Sequence, residues 1–320
     1  MTHKLEHTEH VIRPEHSIPY QEPITTCNDK GICRISLTTT TFVRCKYCGS
    51  RNVVKNGRKG QTQLYLCRDC GHTFVDNDAL PGMRFPSTQI ASAISMFYDG
   101  LSIDAIRRQL QSMYNIYPSD STVYEWILKF TKAAVEEAVI SDITVGDTWI
   151  ADETVLKMDE GKDVWFWDII DDKTRFLLAS YLSLNRTTAS AKILMERAAE
   201  RVGKSPKIVI TDKLAAYLDG IEKSFGSETQ HIQTKGFKIQ PNTNLIERFH
   251  GTLKARTKVM RGMRNKETAK LIMDGWLVHY NFFRPHESLN NKTPAEAAKS
   301  TFQYKSWKDI VLGYHALIEV

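Results

Sequence analysis

The chain has 320 residues, of which 42% are hydrophobic and 25% charged, with a net charge of +6. That length fits two or three domains and that balance fits packed cores, which excludes wholesale disorder. No apolar run approaches the ~18 residues of a membrane span, and the polar, His-rich start (MTHKLEHTEHVIRPEH) lacks the apolar stretch of a secretory signal, so no membrane partner is expected.

The charge is unevenly placed. Residues 44–70 hold seven basic residues and one acidic, and residues 245–270 hold eight and two, so the remainder of the chain is net acidic. Two local basic patches point to a polyanionic partner.

In chain order, residues 1–41 read as a flexible polar arm, with Cys27 and Cys33 as free thiols. Residues 42–76 carry Cys45-x2-Cys48-x18-Cys67-x2-Cys70, each pair followed by a glycine (Gly49, Gly71) and preceded by strand-like residues. Strand, Cys turn and strand is the build of a zinc ribbon, and four thiolates suit a closed, structural Zn²⁺ site. Arg44, Lys46, Arg51, Lys55, Arg58 and Lys59 would decorate it and meet phosphates. Residues 86–140 predict three helices: one opened by Pro86 and Ser87 and broken at Gly100, one capped by Ser102, and one after the turn at Pro118–Ser121. A tight turn before the third helix reads as a helix-turn-helix, with a plain three-helix bundle as the alternative.

From residue 147 the pattern changes. Strands are predicted at Thr148–Met158, Val164–Ile170 and Phe176–Leu182, then a helix at Thr188–Val202, a buried strand at Lys207–Thr211 and a helix from Leu214 to Phe225. Trp165, Phe166 and Trp167 read as core of the second strand. A basic helix at 243–260 and another helix at 265–283 follow, then a Pro-punctuated segment to Pro294. Three consecutive strands followed by helix, strand and helix is a mixed α/β order.

Three acids stand out. Asp152 lies within a strand, Asp212 follows the buried strand, and Glu247 sits in the basic helix. Carboxylates from separate elements converging at a sheet edge suit Mg²⁺ or Mn²⁺ and phosphoryl transfer. Singly, each has an ordinary reading: a paired strand acid, a helix N-cap, a solvated helix acid. Glu153 is expected on the opposite strand face, and Asp147, Asp168, Asp171 and Asp172 at edges or turns. Glu247, His250, Gly251 and Lys254 share a helix face, and Arg248, Arg256, Lys258, Arg261 and Arg264 add positive charge.

The order Asp152, Asp212, Glu247, with 59 and then 34 residues between, resembles the DDE transposases and retroviral-type integrases. Asn244-Leu-Ile-Glu247-Arg-Phe-His250-Gly-Thr-Leu-Lys254-Ala-Arg256 resembles their third-carboxylate helix, and Arg284-Pro-His-Glu-Ser-Leu289 with Thr293-Pro294 resembles the tail of the core. The 34-residue gap is similar to prokaryotic insertion sequences of family six, although the zinc ribbon departs from the plainest form of that family. The resemblance covers residues 145–300. It implies a ribonuclease-H-like fold, with Asp152, Asp212 and Glu247 as catalytic ligands of two divalent cations (Mg²⁺ or Mn²⁺). Lys254, Arg256, Arg248, Arg58 and Lys59 are the expected DNA contacts. The implied reaction is cleavage at transposon ends followed by 3′-OH attack on target DNA, by a homodimer or larger synapse in the cytoplasm at the nucleoid. The alternatives are a silent or domesticated DNA-binding descendant and a ribonuclease-H-like nuclease that cuts without joining. Residues 301–320 are left as a tail.

Overall fold

The computed structural model describes residues 20–27, 33–40, 43–157, 163–234, 243–258 and 266–318. The His-rich start and the expected basic residues Arg261 and Arg264 lie outside these. The chain divides into two compact units, residues 1–86 and 87–320.

In the first unit, β1 (Tyr20–Cys27) and β2 (Cys33–Thr40) form an antiparallel hairpin within the stretch expected to be an irregular arm. Both strands are rich in Thr and Ile, β-branched residues that favour extended backbone. A second, three-stranded sheet follows in the order β3 (Val53–Lys59), β4 (Thr62–Cys67) and β5 (Thr73–Phe74). Its small core is Cys45, Cys67 and Phe74, with Val43, Tyr47, Val53 and Tyr65 packed around it. Among the described residues this core is small, and a sheet so built is suited to a crosslink or metal.

The second unit opens with α1 (Ser87–Tyr98), α2 (Ile103–Tyr114) and α3 (Asp120–Val139). Ser102 and Ser119 cap α2 and α3 by accepting from Ala105 N and Thr122 N, and Asn115 ends α2 in the left-handed region. The sheet then runs β6 (Thr148–Lys157), β7 (Asp163–Asp171), β8 (Leu177–Ser183), α4 (Thr188–Val202), β9 (Ile208–Thr211), α5 (Ala215–Phe225) and β10 (Gln230–Gln233). Spatially the strand order is β10-β9-β6-β7-β8, with β6–β7 and β7–β8 antiparallel and β6–β9 and β9–β10 parallel. This is the expected ribonuclease-H-like mixed sheet. Phe166 and Trp167 are fully buried in it.

The helices α6 (Asn244–Lys258) and α7 (Lys266–Val278) follow, and α7 runs into a π-helical turn over His279–Phe283. After the short α8 (Pro294–Ala297) comes α9 (Trp307–Ile318), a helix in the stretch left as a tail. It packs on α1 and α3, while α3 also packs on α7. The ring of Tyr98 stacks on both Trp307 and His279, which ties α1 to the chain end. α1 and α3 thus share a core with α7 and α9, and α2 packs on α1 and α3.

Candidate active site

β6 pairs with β9 only through Thr148–Ile150, and β9 ends at Thr211. Beyond Ile150 the two parallel strands have parted. Asp152 lies on β6 at the mouth of that gap, and Asp212 directly follows β9. The placement matches the general rule that sites form outside the carboxyl ends of parallel strands.

Carboxylate oxygens of Asp152, Glu153 and Asp212 lie within 4.8 Å of one another. Glu153 was expected on the far side of the strand, and its partners do come from there. Tyr217 of α5 donates to its Oε2 at 2.8 Å, and Arg186 pairs with its Oε1. With no neighbouring strand at the gap, adjacent acids on opposite faces can still both lean toward Asp212. Burial raises the Glu153 carboxyl above the ordinary range. Asp212 also accepts from Leu214 N at 2.8 Å, so it holds the start of α5 as well.

Glu247 is outside this group. It stands on the first turn of α6, and its Oε1 accepts from Thr243 Oγ1 at 2.9 Å. The residue of α6 that reaches the sheet is His250, one turn on. Its Nδ1 is 3.3 Å from Asp152 Oδ2 and its Nε2 is 2.7 Å from Asp168 Oδ2. Burial disfavours a charged ring, but Asp168 and Asp152 outweigh it and push His250 up to about 10.

Asp168 corrects an expectation. It was placed at an edge or turn, yet it is fully buried in the middle of β7, directly opposite Asp152 in register. The signal was present: Asp168 is the one acid in the apolar run Val164–Ile170, and like Asp152 it is a carboxylate in a strand interior. Asp171 does serve a turn, accepting from Thr174 N and Oγ1 at 2.7 Å each. Asp147 sits at an edge with Lys204 and Lys207.

The expected DNA contacts divide. Arg248 and Lys254 on α6 are exposed, as are Arg58 and Lys59 beside the β3–β4 turn. Arg256 is not available to DNA. It is 2% exposed, and its guanidinium lies over the Phe97 ring of α1, 3.7 Å from the centroid. The spacing explains this: Ile246, Phe249, His250 and Leu253 form the inner stripe of α6, and Arg256 is its next member. Burial lowers its pKa to about 10.

In the first unit the four sulfurs of Cys45, Cys48, Cys67 and Cys70 also lie within 4.8 Å of one another, with Cys45–Cys70 at 3.5 Å and Cys48–Cys67 at 3.6 Å. Tetrahedral zinc with Zn–S of ~2.3 Å sets sulfurs ~3.8 Å apart, so the cluster fits that ion. Gly49 and Gly71 have φ of +71° and +74°, and each amide closes its turn onto the first cysteine's carbonyl (Cys45 O 2.8 Å, Cys67 O 2.9 Å). A backbone hydrogen bond from Cys70 helps bring the Cys67 thiol down to about 7, favouring the thiolate that a metal requires.

Residues 146–286 match a family model described as a DDE domain. No curated protein sequence matches the chain. Among solved structures, the HTLV-2 integrase catalytic core domain in complex with magnesium (trimeric form) is 16% identical, with a TM-score of 0.39, covering 49% of this chain and 99% of that one. The simian T-cell lymphotropic virus intasome in complex with PP2A regulatory subunit B56 gamma is 15% identical, with a TM-score of 0.39, covering 68% and 77%. The catalytic core domain of BIV integrase is 16% identical, with a TM-score of 0.37, covering 48% and 94%.

Proposed function

We propose that this chain, whose residues 146–286 are a DDE domain of the transposase and integrase type, is a DNA transposase that cuts transposon ends and joins the freed 3′-OH to target DNA. The observation that carries this reading is the convergence of Asp152 and Asp212 at the parted strands, with the Glu247 helix docked beside them. The clustered carboxylate oxygens fit a hard divalent ion such as Mg²⁺ or Mn²⁺. Asp152, Asp212 and Glu247 are the ligands this reading assigns. Glu153 is already engaged by Arg186 and Tyr217, whereas among the described residues Glu247 holds a single hydroxyl bond. Bound there, such an ion would activate the attacking oxygen and stabilise the leaving one.

The chain's own residues hold the DNA. Lys254 and Arg248, exposed on α6, meet the backbone near the reacting phosphate, while Asp152 is fixed within β6 and Asp212 at the end of β9. Arg58 and Lys59 of the zinc-bearing first unit, together with the α2–turn–α3 segment, contribute end recognition through phosphate contacts and groove readout. Joining two ends calls for at least two copies. The test is to incubate the full chain and Mg²⁺ with a plasmid carrying the DNA from both sides of its own gene. Covalently joined donor and target products support transposition. Nicks without joined products would reduce the protein to a nuclease, and neither product would leave only DNA binding.

A further inference from the structure

We infer that Asp168 is a positioning residue: acting through His250, it fixes the Asp152 carboxylate and seats the helix that carries Glu247. The inference deepens the proposed function and rests on that assignment of the acids.

Asp168 and Asp152 face each other across the β6–β7 ladder, so their side chains emerge on the same side of the sheet. The His250 ring lies between them, 2.7 Å from one and 3.3 Å from the other. The ring directs one nitrogen at each acid, so a single side chain of α6 ties both strands' carboxylates together. Asp168 is 0% exposed, and its Oδ1 has no hydrogen-bond partner among the described residues. His250 is therefore its charge partner. A carboxylate at the centre of a buried strand, with no access to DNA, has no structural need to be an acid. Leucine would pack there without the desolvation penalty.

The arrangement acts in two directions. Toward the sheet, the 3.3 Å approach of Nδ1 to Oδ2 favours one orientation of Asp152. Toward the helix, it limits how α6 can rotate or slide. Ile246, Phe249 and Leu253, the apolar residues of its inner face, would tolerate a shifted packing, but a ring spanning two carboxylates accepts one setting. Glu247 is one turn from His250, so its position follows from that setting. Errors of about 1 Å at such a site cost roughly 100-fold in rate, which is the scale on which this contact matters.

The test measures Mn²⁺ binding calorimetrically on the full chain purified with its zinc, alongside thermal melting. Asp168→Asn is expected to fold and to bind Mn²⁺ about 10–100-fold more weakly, the usual loss when a supporting group is removed. The double variant Asp168→Leu, His250→Leu is expected to melt at or above the wild-type temperature and still to bind Mn²⁺ weakly. If Asp168 only holds the fold together, Mn²⁺ affinity returns in the double variant as stability returns, and the inference is overturned. Unchanged affinity in a folded Asp168→Asn protein overturns it too. Asp152→Asn separates the two claims. If that variant binds Mn²⁺ as the wild type does, it is the assignment of the acids that fails, not the role of Asp168.

Discussion

Lys254 and Arg256 lie two residues apart on one basic helix, and their positions on it give them opposite roles. Lys254 faces outward, and Arg256 is the last member of the inner stripe, against Phe97. Lys254→Ala is expected to weaken DNA binding and to lower the slope of log affinity against log salt by about one contact, read from filter binding across a salt series. Arg256→Met is expected to leave both quantities unchanged. It removes a buried cation whose guanidinium nitrogens have no hydrogen-bond partner among the described residues, so the melting temperature should hold or rise. Sequence separates such residues poorly, because composition marks the helix as basic while only its phase against the core decides which charges reach solvent. The same limit hid Asp168. Its charge between Trp167 and Ile169 was visible, but its partner His250 lies 82 residues away and becomes adjacent only once β7 and α6 are packed.

At the scale of elements, local signals carried far. The Thr188–Val202 helix is bounded as expected because Thr187 caps it and Gly203, at φ +74°, ends it. The strand triplet was legible from its alternating and apolar runs. What local signals missed was α9, whose place depends on aromatic contacts with α1, and the sharing of one core by α1, α3 and α7. Gly275 of α7 marks that junction: a Cβ there would lie 2.1 Å from Tyr98 Oη and 2.4 Å from Thr131 Cγ2. Gly275→Ala should therefore destabilise the second unit by about 1–3 kcal/mol, seen as a lower melting temperature. Asn281 joins the π-helical turn to the sheet, accepting from Leu177 N and donating to Leu177 O at 2.9 Å each. Asn281→Ala orphans both buried backbone groups, at about 1–3 kcal/mol apiece, measurable by urea unfolding. In the first unit, Cys45→Ser should abolish the proposed zinc binding, read by elemental analysis, and unfold the β3–β5 sheet, because Cys45 and Cys67 are two of the three buried residues of its described core. Unchanged zinc content would contradict the ribbon.

For the whole molecule, the two basic stretches of the sequence fall one in each compact unit, the first around the four cysteines and the second, residues 245–270, beginning on α6 beside the acids. A net charge of only +6 would not mark a nucleic-acid protein, yet its concentration at these two places suits the proposed function, one place for gripping DNA and one beside the reacting groups. The most direct measurement uses the full chain carrying Asp212→Asn or Glu247→Gln, with cleavage and joining of plasmid DNA followed beside a gel-shift of the same DNA. Each substitution is expected to reduce chemistry at least ~10³-fold, the scale lost with a main electrostatic group of a site, while the gel-shift is unchanged. Cleavage and joining at the wild-type rate in either variant would contradict the assignment of these acids.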